Sequence, residues 1–330
     1  MQPVGRGPLF GRARRWAVLA LAAAWSGLSC QGSTQSSSST HFIVCRTDAD
    51  CDGLAVEAVC SVQGDTAGFC VDPSGAPVRL LPTFEARFAG PALDTQIFRF
   101  ETGVGIRNGE LQAYTDNPNN VFVQDGELVV VARHEPADGA EYTSGSIELI
   151  QPVTFGRIEA SIESAVGSGV KPVFWLLPAD PGAPEVSCVA GEDCVASTWP
   201  VWGGLVILSG RADDSSVAVA SYASADQTSG VLNLNESIAS VPITPSIGAE
   251  YHLYAIEWGP ERVDWFVDEE RVHSFDLNSG DLYLPDGQNP FHQAFRIKLS
   301  LSVGGLVEDP VPSDYPREMR VRSLRVLQID

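Results

Sequence analysis

Phe122-Val-Gln-Asp-Gly-Glu-Leu-Val-Val-Val131 is the clearest hairpin signal in the sequence. An Asp-Gly pair is the strongest short signal for a tight hairpin turn, and the apolar runs on either side are rich in β-branched residues. The stretch therefore predicts two antiparallel strands. A second run, Ala255–Val267, predicts another hairpin of the same kind.

The sequence around these hairpins is built from many short apolar runs. Clusters of Gly, Pro, Asn and Asp separate the runs, and no long helical period interrupts them. This pattern predicts one large all-β domain, an antiparallel β-sandwich, over residues 81–330. The sequence contains no dinucleotide loop, phosphate loop or metal-ligand cluster, so we expect no cofactor.

The N-terminal segment has the organisation of an export signal. Residues 1–29 join an arginine-rich start to an apolar run that is too short to span a bilayer. Gly27-Leu-Ser-Cys30 resembles a bacterial lipobox in which Gly27 replaces the usual leucine, which predicts lipidation of Cys30. The alternative is ordinary cleavage after Ala24, which would leave Cys30 as a spare thiol.

Two further segments precede the β-sandwich. Residues 30–42 are rich in serine and predict a flexible tether. Residues 43–72 predict a small module that depends on disulfides, because so short a segment cannot bury a sufficient core. With Cys30 set aside, six cysteines remain, in two local groups. The first group has four cysteines and predicts two disulfide bridges, and the second has two and predicts one. The first group is Cys45, Cys51, Cys60 and Cys70, with its pairing open, and the second is Cys188–Cys194.

The chain is strongly acidic, with a formal net charge of −21 and a pI near 4.5. Such a charge repels nucleic acid and anionic membrane surfaces. We therefore expect no nucleic-acid partner, and membrane contact only through the N-terminal lipid. The predicted location is outside the cytoplasm, either on a membrane facing the periplasm or cell surface or as a secreted protein. The predicted state is a monomer.

Several segments of the 81–330 region resemble glycoside hydrolase family 16, the laminarinase and lichenase family, and occur in the family's order. They are Asn108–Thr115, Tyr142–Gly145, Phe155–Ala160, Pro172–Leu177, Tyr254–Trp258 and Ser302–Gly305. The resemblance implies a concanavalin A-like jelly roll of two curved antiparallel sheets, with a glycan cleft on the concave face.

The resemblance also locates the family's active-site strand. Trp199-Pro-Val-Trp-Gly-Gly-Leu-Val-Ile-Leu-Ser209 corresponds to the family pattern Trp-Pro-X-X-Gly-Glu-Ile-Asp-Ile-Met-Glu. Gly204 takes the place of the nucleophile, Val206 that of the aspartate that tunes it, and Ser209 that of the general acid/base. Retaining glycosidases need two carboxyl groups about 5 Å apart. The sequence therefore predicts that no catalytic residue of the family is intact.

Other departures fall at positions to which the family gives a function. Lys171 stands where the family has a cleft tryptophan, Ser146 replaces an arginine, and Ser221 falls where a histidine is common. Arg322 occupies the position of an aspartate that helps to hold a structural calcium in the family. Because a cation there repels Ca²⁺, we predict no metal at this site.

Five residues are candidates for sugar contact, because glycans are bound by aromatic faces and directional polar groups: Asn108, Glu110, Trp175, Trp199 and Trp202. Four of them have a structural alternative. Trp175 could pack in the core, Glu110 could form a salt bridge, Trp199 could cover a sheet end and Trp202 could plug the cleft. The apolar run Leu205–Leu208 also predicts a strand buried on both faces, which argues against an open cleft.

Three functional hypotheses follow. The first is an exported, lipid-anchored glucanase-like pseudoenzyme that binds a β-glucan-type polysaccharide without cutting it. The second is a structural or partner-binding lipoprotein with a filled cleft. The third is an active glycosidase with relocated carboxylates, for which the candidates are Glu110, Glu185, Glu192 and Asp193.

Overall fold

The computed structural model describes the following residues of the chain: 41–52, 54, 56–104, 109–179, 203–210, 215–224, 234–278, 289–305 and 307–329. For 221–224 and 234–236 it describes the backbone alone. The regular structure of these residues consists of strands and three short 3₁₀ helices, Asp48–Asp50, Gly64–Thr66 and Pro312–Asp314. Within the described part of the chain, no helix is long and apolar enough to cross a membrane.

The strands, numbered in chain order, have the following bounds: β1 His41–Phe42, β2 Val59–Cys60, β3 Cys70–Val71, β4 Arg79–Ala86, β5 Phe98–Phe100, β6 Gly103–Val104, β7 Gln112–Tyr114, β8 Val121–Gln124, β9 Glu127–Ala132, β10 Tyr142–Ser144, β11 Ser146–Leu149, β12 Gly156–Glu163, β13 Val170–Pro178, β14 Gly204–Gly210, β15 Ser216–Ser224, β16 Leu234–Pro242, β17 His252–Trp258, β18 Arg262–Val267, β19 Glu270–Asp276, β20 Phe295–Val303 and β21 Arg317–Ile329.

Two large sheets form the sandwich. One has nine strands, in the order β1-β4-β21-β12-β17-β18-β19, with β9 paired to β21 and β8 paired to β9. The other has seven strands, in the order β16-β15-β14-β13-β20-β11-β5. A small sheet, β10-β7-β6, contains a parallel pair between β10 and β7. The all-β prediction is therefore confirmed.

Both predicted hairpins are present. Strands β8 and β9 pair antiparallel around Asp125 and Gly126, whose φ angles of 55° and 81° are those of a primed hairpin turn. Strands β17 and β18 form the second hairpin. In β18, Val263 and Trp265 turn toward the core, whereas Leu128–Ala132 of β9 are buried on both faces of the strand.

The hydrophobic core lies between the two large sheets. Phe174, Leu205 and Phe295 enter it from the seven-stranded sheet, and Ile158 and Trp265 enter it from the nine-stranded sheet. All five side chains are fully buried. Burial of this kind stabilises a domain by about 1.5–3 kcal/mol for each large apolar side chain.

The cysteine-rich segment packs on the nine-stranded sheet. The pairing that the sequence left open is Cys45–Cys60 and Cys51–Cys70. A second apolar cluster joins these cysteines to Leu80 on β4 and Leu327 on β21. The predicted Cys188–Cys194 bridge and the lipidation residue Cys30 lie outside the described residues.

Candidate functional site

Strand β14 carries Gly204, Val206 and Ser209, the positions that the resemblance aligns with the family's catalytic carboxylates. Leu205, Ile207 and Leu208 belong to the core cluster. Gly204, Val206 and Ser209 lie on the opposite face of the strand, which we call the cleft-side face of the seven-stranded sheet. Val206 is only 8% exposed, so the predicted burial on both faces of Leu205–Leu208 is present.

A β-bulge in β14 keeps Gly204 and Ser209 on one face although five residue steps separate them. The neighbouring strand β13 pairs Trp175 with Val206 and Phe174 with Leu208, so the register shifts between these pairs. An extra residue on one strand restores the orientation that an odd number of steps would reverse. The bulge therefore places Gly204 and Ser209 on the same face of the strand.

Trp175 lies beside Val206 on the cleft-side face. Its neighbours Phe174 and Leu176 are fully buried in the core, and Trp175 points the other way with part of its surface exposed. The alternative that Trp175 packs in the core therefore does not hold. An aromatic side chain in this position offers a flat apolar surface next to Val206.

A buried ion-pair network adjoins Trp175 on the side away from β14, because Lys298 is the ladder partner of Trp175. Lys298 on β20 places its Nζ 2.8 Å from Oε1 of Glu101 and 3.4 Å from Oε2 of Glu148 on β11. Arg99 forms an ion pair with Glu148, and the Nε of Arg296 lies 3.6 Å from the same carboxylate. Lys298 and Glu148 are each nearly inaccessible to solvent. The two carboxylates are therefore held by several cations.

Ser146, the replacement for the family's arginine, belongs to this network. Its hydroxyl donates a 2.9 Å hydrogen bond to Oε2 of Glu101. Lys298 contacts the other oxygen of the same carboxylate. The positive charge on this part of the face therefore comes from Lys298 on a neighbouring strand.

Glu110 and Lys171 form a second polar cluster. The resemblance aligns Lys171 with a cleft tryptophan of the family. Oε1 of Glu110 lies 3.8 Å from Nζ of Lys171, and Oε2 accepts a 2.9 Å hydrogen bond from the amide of Gln112. The hydroxyl of Tyr114 lies 3.4 Å from the same oxygen. The salt-bridge alternative for Glu110 is therefore present in the structure.

The structure does not describe every residue that the sequence singles out. Those outside the described residues are Asn108, Trp199, Trp202, Glu185, Glu192 and Asp193. For Ser221 only the backbone is described, and it pairs with Leu205 on β14.

The sequence reasoning missed Lys298 and Glu148. The signal was the alternation in Phe295-Arg-Ile-Lys-Leu-Ser-Leu-Ser-Val303, where every second residue is polar although the strand lies in the middle of a sheet. Such alternation indicates that one face of β20 is not part of the hydrophobic core.

The residues around Arg322 do not fit a calcium ion. The Nε of Arg322 lies 3.0 Å from Oε1 of Glu127, and its guanidinium carbon lies 3.5 Å from the ring centroid of Tyr251. Burial opposes ionisation of Glu127, but hydrogen bonds from Arg322 and Tyr251 outweigh it, so the pKa of this carboxyl is lowered. Burial and the hydrogen bond to Glu127 raise the pKa of Tyr251 to about 12. A guanidinium thus occupies the place where a metal would have to approach the Glu127 carboxylate.

Comparisons with known proteins find glucanases that are similar to this chain. The family model described as glycosyl hydrolases family 16 matches residues 210–314. A glucan endo-1,3-beta-glucosidase A1 of Niallia circulans is 28% identical over 287 residues, which are 78% of this chain and 39% of that protein. A beta-glucanase of Rhodothermus marinus is 29% identical over 233 residues, which are 68% of this chain and 76% of that protein.

A solved structure shows the same architecture. The laminarinase from Rhodothermus marinus superposes with a TM-score of 0.65 and 26% identity, covering 77% of this chain and 99% of that one. The two sheets, their pairing order and the cleft-side face therefore define a jelly-roll β-sandwich of the glucanase class. Within that class, the domain of this chain is glucanase-like and is similar to glycosyl hydrolase family 16.

Proposed function

We propose that this protein binds a β-glucan-type polysaccharide on the cleft-side face and does not hydrolyse it. The observation that carries the proposal is the side-chain content of β14. Gly204, Val206 and Ser209 face the cleft side, and none of them has a carboxyl group. A retaining mechanism needs one carboxylate to attack the sugar and another group to protonate the leaving oxygen. Glycine, valine and a lone serine supply neither.

The carboxylates elsewhere on this face do not replace the missing pair. Glu101 and Glu148 both contact Lys298, and Glu148 has two arginines beside it as well. A general acid has to donate a proton to the sugar, whereas these oxygens already accept hydrogen bonds or ion pairs from the protein. The network supports a structural role for both residues.

Trp175 supports the binding part of the proposal. Its ring lies on the cleft-side face beside Val206, where the centre of the family's active-site strand would meet a sugar. Aromatic rings bind the apolar faces of sugar rings, and nearby polar groups fix their orientation. The names of the relatives, a glucan endo-1,3-beta-glucosidase and a beta-glucanase, suggest β-glucan as the first polysaccharide to test.

Isothermal titration with laminarin oligosaccharides tests the proposal. We expect the wild-type chain to bind, and Trp175→Ala to weaken binding at least tenfold. Phe42→Ala is the matched control, because Phe42 is an exposed aromatic residue on β1, in the other sheet. A reducing-end assay on the same samples should show no turnover. Release of sugar at an enzyme's pace would contradict the proposal.

Restoring the family residues tests the cleft itself. The triple variant Gly204→Glu, Val206→Asp and Ser209→Glu returns all three carboxylates to a strand that has kept its bulge. If sugar reaches this face, some hydrolysis of laminarin should return. A folded triple variant that neither binds nor cleaves laminarin would contradict glycan access to this face.

A filled cleft is the second candidate function, and burial favours it. Val206 is 8% exposed, and Ser146 and Ser300 are nearly inaccessible on the same face. In this case the protein is a structural or partner-binding lipoprotein. Its titration with laminarin oligosaccharides would then give no heat of binding.

An active glycosidase with relocated carboxylates is the third candidate. Of the four carboxylates that this hypothesis names, Glu110 lies among the described residues and is the one to test. Its ion pair with Lys171 makes it a weak candidate for a free acid. Turnover that Glu110→Gln abolishes would establish this function in place of the first.

We also propose that the protein is exported and carries a lipid on Cys30. The support is the sequence of residues 1–30. Mass spectrometry of the N-terminal peptide after expression in a bacterium that processes lipoproteins tests this step. Cys30→Ser should release the protein from the membrane fraction. An unmodified Cys30, or a protein that remains membrane-bound after Cys30→Ser, would contradict it.

A further inference from the structure

A large pocket lies between the cysteine-rich segment and the back face of the nine-stranded sheet, on the other side of the sandwich from the cleft-side face. Its volume is about 1080 Å³. One wall comes from the segment around Cys45 and Asp50, and the other comes from β12, β17 and β18. A pocket of this size accommodates a small organic ligand or a short oligomer.

Two of the four arginines that line the pocket, Arg157 and Arg262, are engaged by the protein. Arg157 is fully buried and donates to the carboxylates of Glu159, Glu257 and Glu269 at distances of 2.6, 3.0 and 2.7 Å. Arg262 donates to Asp264 and to the backbone carbonyls of Ala49 and Asp50. These guanidinium groups therefore have few donors left for an anionic ligand.

Carboxylates are in excess around the pocket. They outnumber the arginines of the lining by seven to four. The net charge of the whole chain, −21, has the same sign. The pocket therefore attracts a positively charged ligand.

Asp264 supplies an acceptor that the protein does not satisfy. The residue is 5% exposed, and its Oδ2 accepts a 2.8 Å hydrogen bond from Nε of Arg262. Its Oδ1 has no hydrogen-bond partner within the part of the chain that the structure describes. Because Val263 and Trp265 point into the core, Asp264 projects from the back face into the pocket. A buried acceptor without a protein donor needs a donor from a ligand or from water.

The pocket also presents aromatic surface. Phe266 follows on the same face of β18, and the guanidinium carbon of Arg157 already lies 5.2 Å from its ring centroid. Phe155 contributes a second ring to the lining. Carboxylates combined with aromatic rings are the groups that bind organic ammonium ions.

We propose that this pocket is a second binding site, for a ligand that carries protonated amino groups on a short chain. An ammonium group donates to Oδ1 of Asp264 and to the surrounding carboxylates, and the pocket encloses the rest of the chain. A divalent metal fits less well. It requires several oxygens around one point, whereas Arg262 and Arg271 lie beside the Asp264 carboxylate. The site does not depend on glucan binding at the cleft-side face.

Titration with three probes at low salt tests the site. The probes are spermine, a glucosamine hexamer, and the fully N-acetylated hexamer, which lacks the charge. We expect at least one of the two amines, spermine or the glucosamine hexamer, to bind with one molecule per chain. The acetylated hexamer should not bind. The responding probe identifies the source of the amino group. Absence of binding by both amines, or equal binding of the acetylated hexamer, would overturn the proposal.

Variants distinguish this pocket from general attraction of amines to an acidic protein. Asp264→Asn should weaken amine binding at least tenfold, and Glu270→Gln, an exposed residue of the lining, about threefold. Asp125→Asn is the matched control, because Asp125 is an exposed aspartate in a hairpin turn that accepts asparagine. The site would be refuted if Glu270→Gln and Asp125→Asn weakened amine binding equally, or if many amines bound per chain. Both outcomes can be measured even if Asp264→Asn fails to fold.

Discussion

The indole Nε1 of Trp265 donates a 2.8 Å hydrogen bond to the backbone carbonyl of Val206, linking the two sheets across the core. Val206 lies in the bulged part of β14, where the regular ladder is interrupted. A bulge leaves backbone groups without their strand partners, and a buried carbonyl needs a donor. Trp265 therefore stabilises the bulge that sets the orientation of the cleft-side residues.

Two substitutions of Trp265 should lower stability by different amounts, because one removes the hydrogen bond and the other also removes the volume of the ring. Trp265→Phe keeps most of the apolar volume but removes the donor, which should cost about 1–3 kcal/mol. Trp265→Ala should cost about 3–5 kcal/mol, because it also leaves a cavity. Urea unfolding followed by circular dichroism measures both. Trp175→Phe is the control and should change stability by less than Trp265→Phe, because Trp175 lies outside the core. Equal effects of these two substitutions would contradict the role given to the hydrogen bond.

Removing Lys298 should destabilise the domain strongly. Lys298→Met leaves Glu101 and Glu148 without their shared cation in a buried place, which should cost about 3 kcal/mol. The double variant Lys298→Met with Glu148→Gln should recover part of this loss, because one of the two charges is also removed. Arg99→Met is the control, since Arg99 is mostly exposed and should cost about 1 kcal/mol or less. A double variant no more stable than Lys298→Met would show that the pair is not coupled.

Arg322 should make stability depend on pH. The folded state lowers the pKa of Glu127 below its ordinary value of 4.5. The ionised carboxylate therefore stabilises the fold above that value, and this stability is lost as the pH falls through the lowered pKa. Arg322→Ala should cost about 1 kcal/mol at pH 7 and less at pH 3.

Urea unfolding at these two pH values measures the effect of Arg322. Arg87→Ala is the control, because Arg87 forms its ion pair with the partly exposed Glu85 elsewhere on the surface. A loss that is the same at both pH values would contradict the coupling between Arg322 and Glu127.

Arg262 should hold the cysteine-rich segment on the sandwich. It donates hydrogen bonds of 2.7 and 2.9 Å to the carbonyls of Ala49 and Asp50. Arg262→Ala should therefore increase hydrogen exchange in residues 45–51 by about tenfold and leave β13 unchanged. Arg271→Ala, which removes only the longer 3.3 Å contacts with Asp50, should have a smaller effect. Unchanged exchange in residues 45–51 after Arg262→Ala would show that other contacts suffice.

The sequence was most informative where local chemistry decides the structure. The Asp125-Gly126 turn fixes the β8–β9 hairpin, because both residues adopt positive φ angles that few other pairs accept. The positions of Gly204, Val206 and Ser209 could likewise be predicted, because a family spacing combined with a bulge specifies which face they share. The orientation of Trp175 could have been read from the buried residues on either side of it.

The sequence was least informative where distant strands meet. Glu148 and Lys298 are 150 positions apart, and their pairing depends on β11 and β20 being neighbours in the sheet. The pairing of Cys45 with Cys60 and of Cys51 with Cys70 could not be predicted for the same reason, since four cysteines permit three arrangements. Contacts of this kind follow from the topology of the whole domain.

Strand β21 occupies an interior position in the nine-stranded sheet, with β12 along one side and β4 and β9 along the other. During synthesis, the ribosome must therefore release residues 317–329 before these three strands acquire their common neighbour. Until then, β4, β9 and β12 expose unpaired backbone edges to other chains. The nine-stranded sheet is thus completed only once residues 317–329 have emerged, so its formation depends on pairing between segments that lie far apart in the chain.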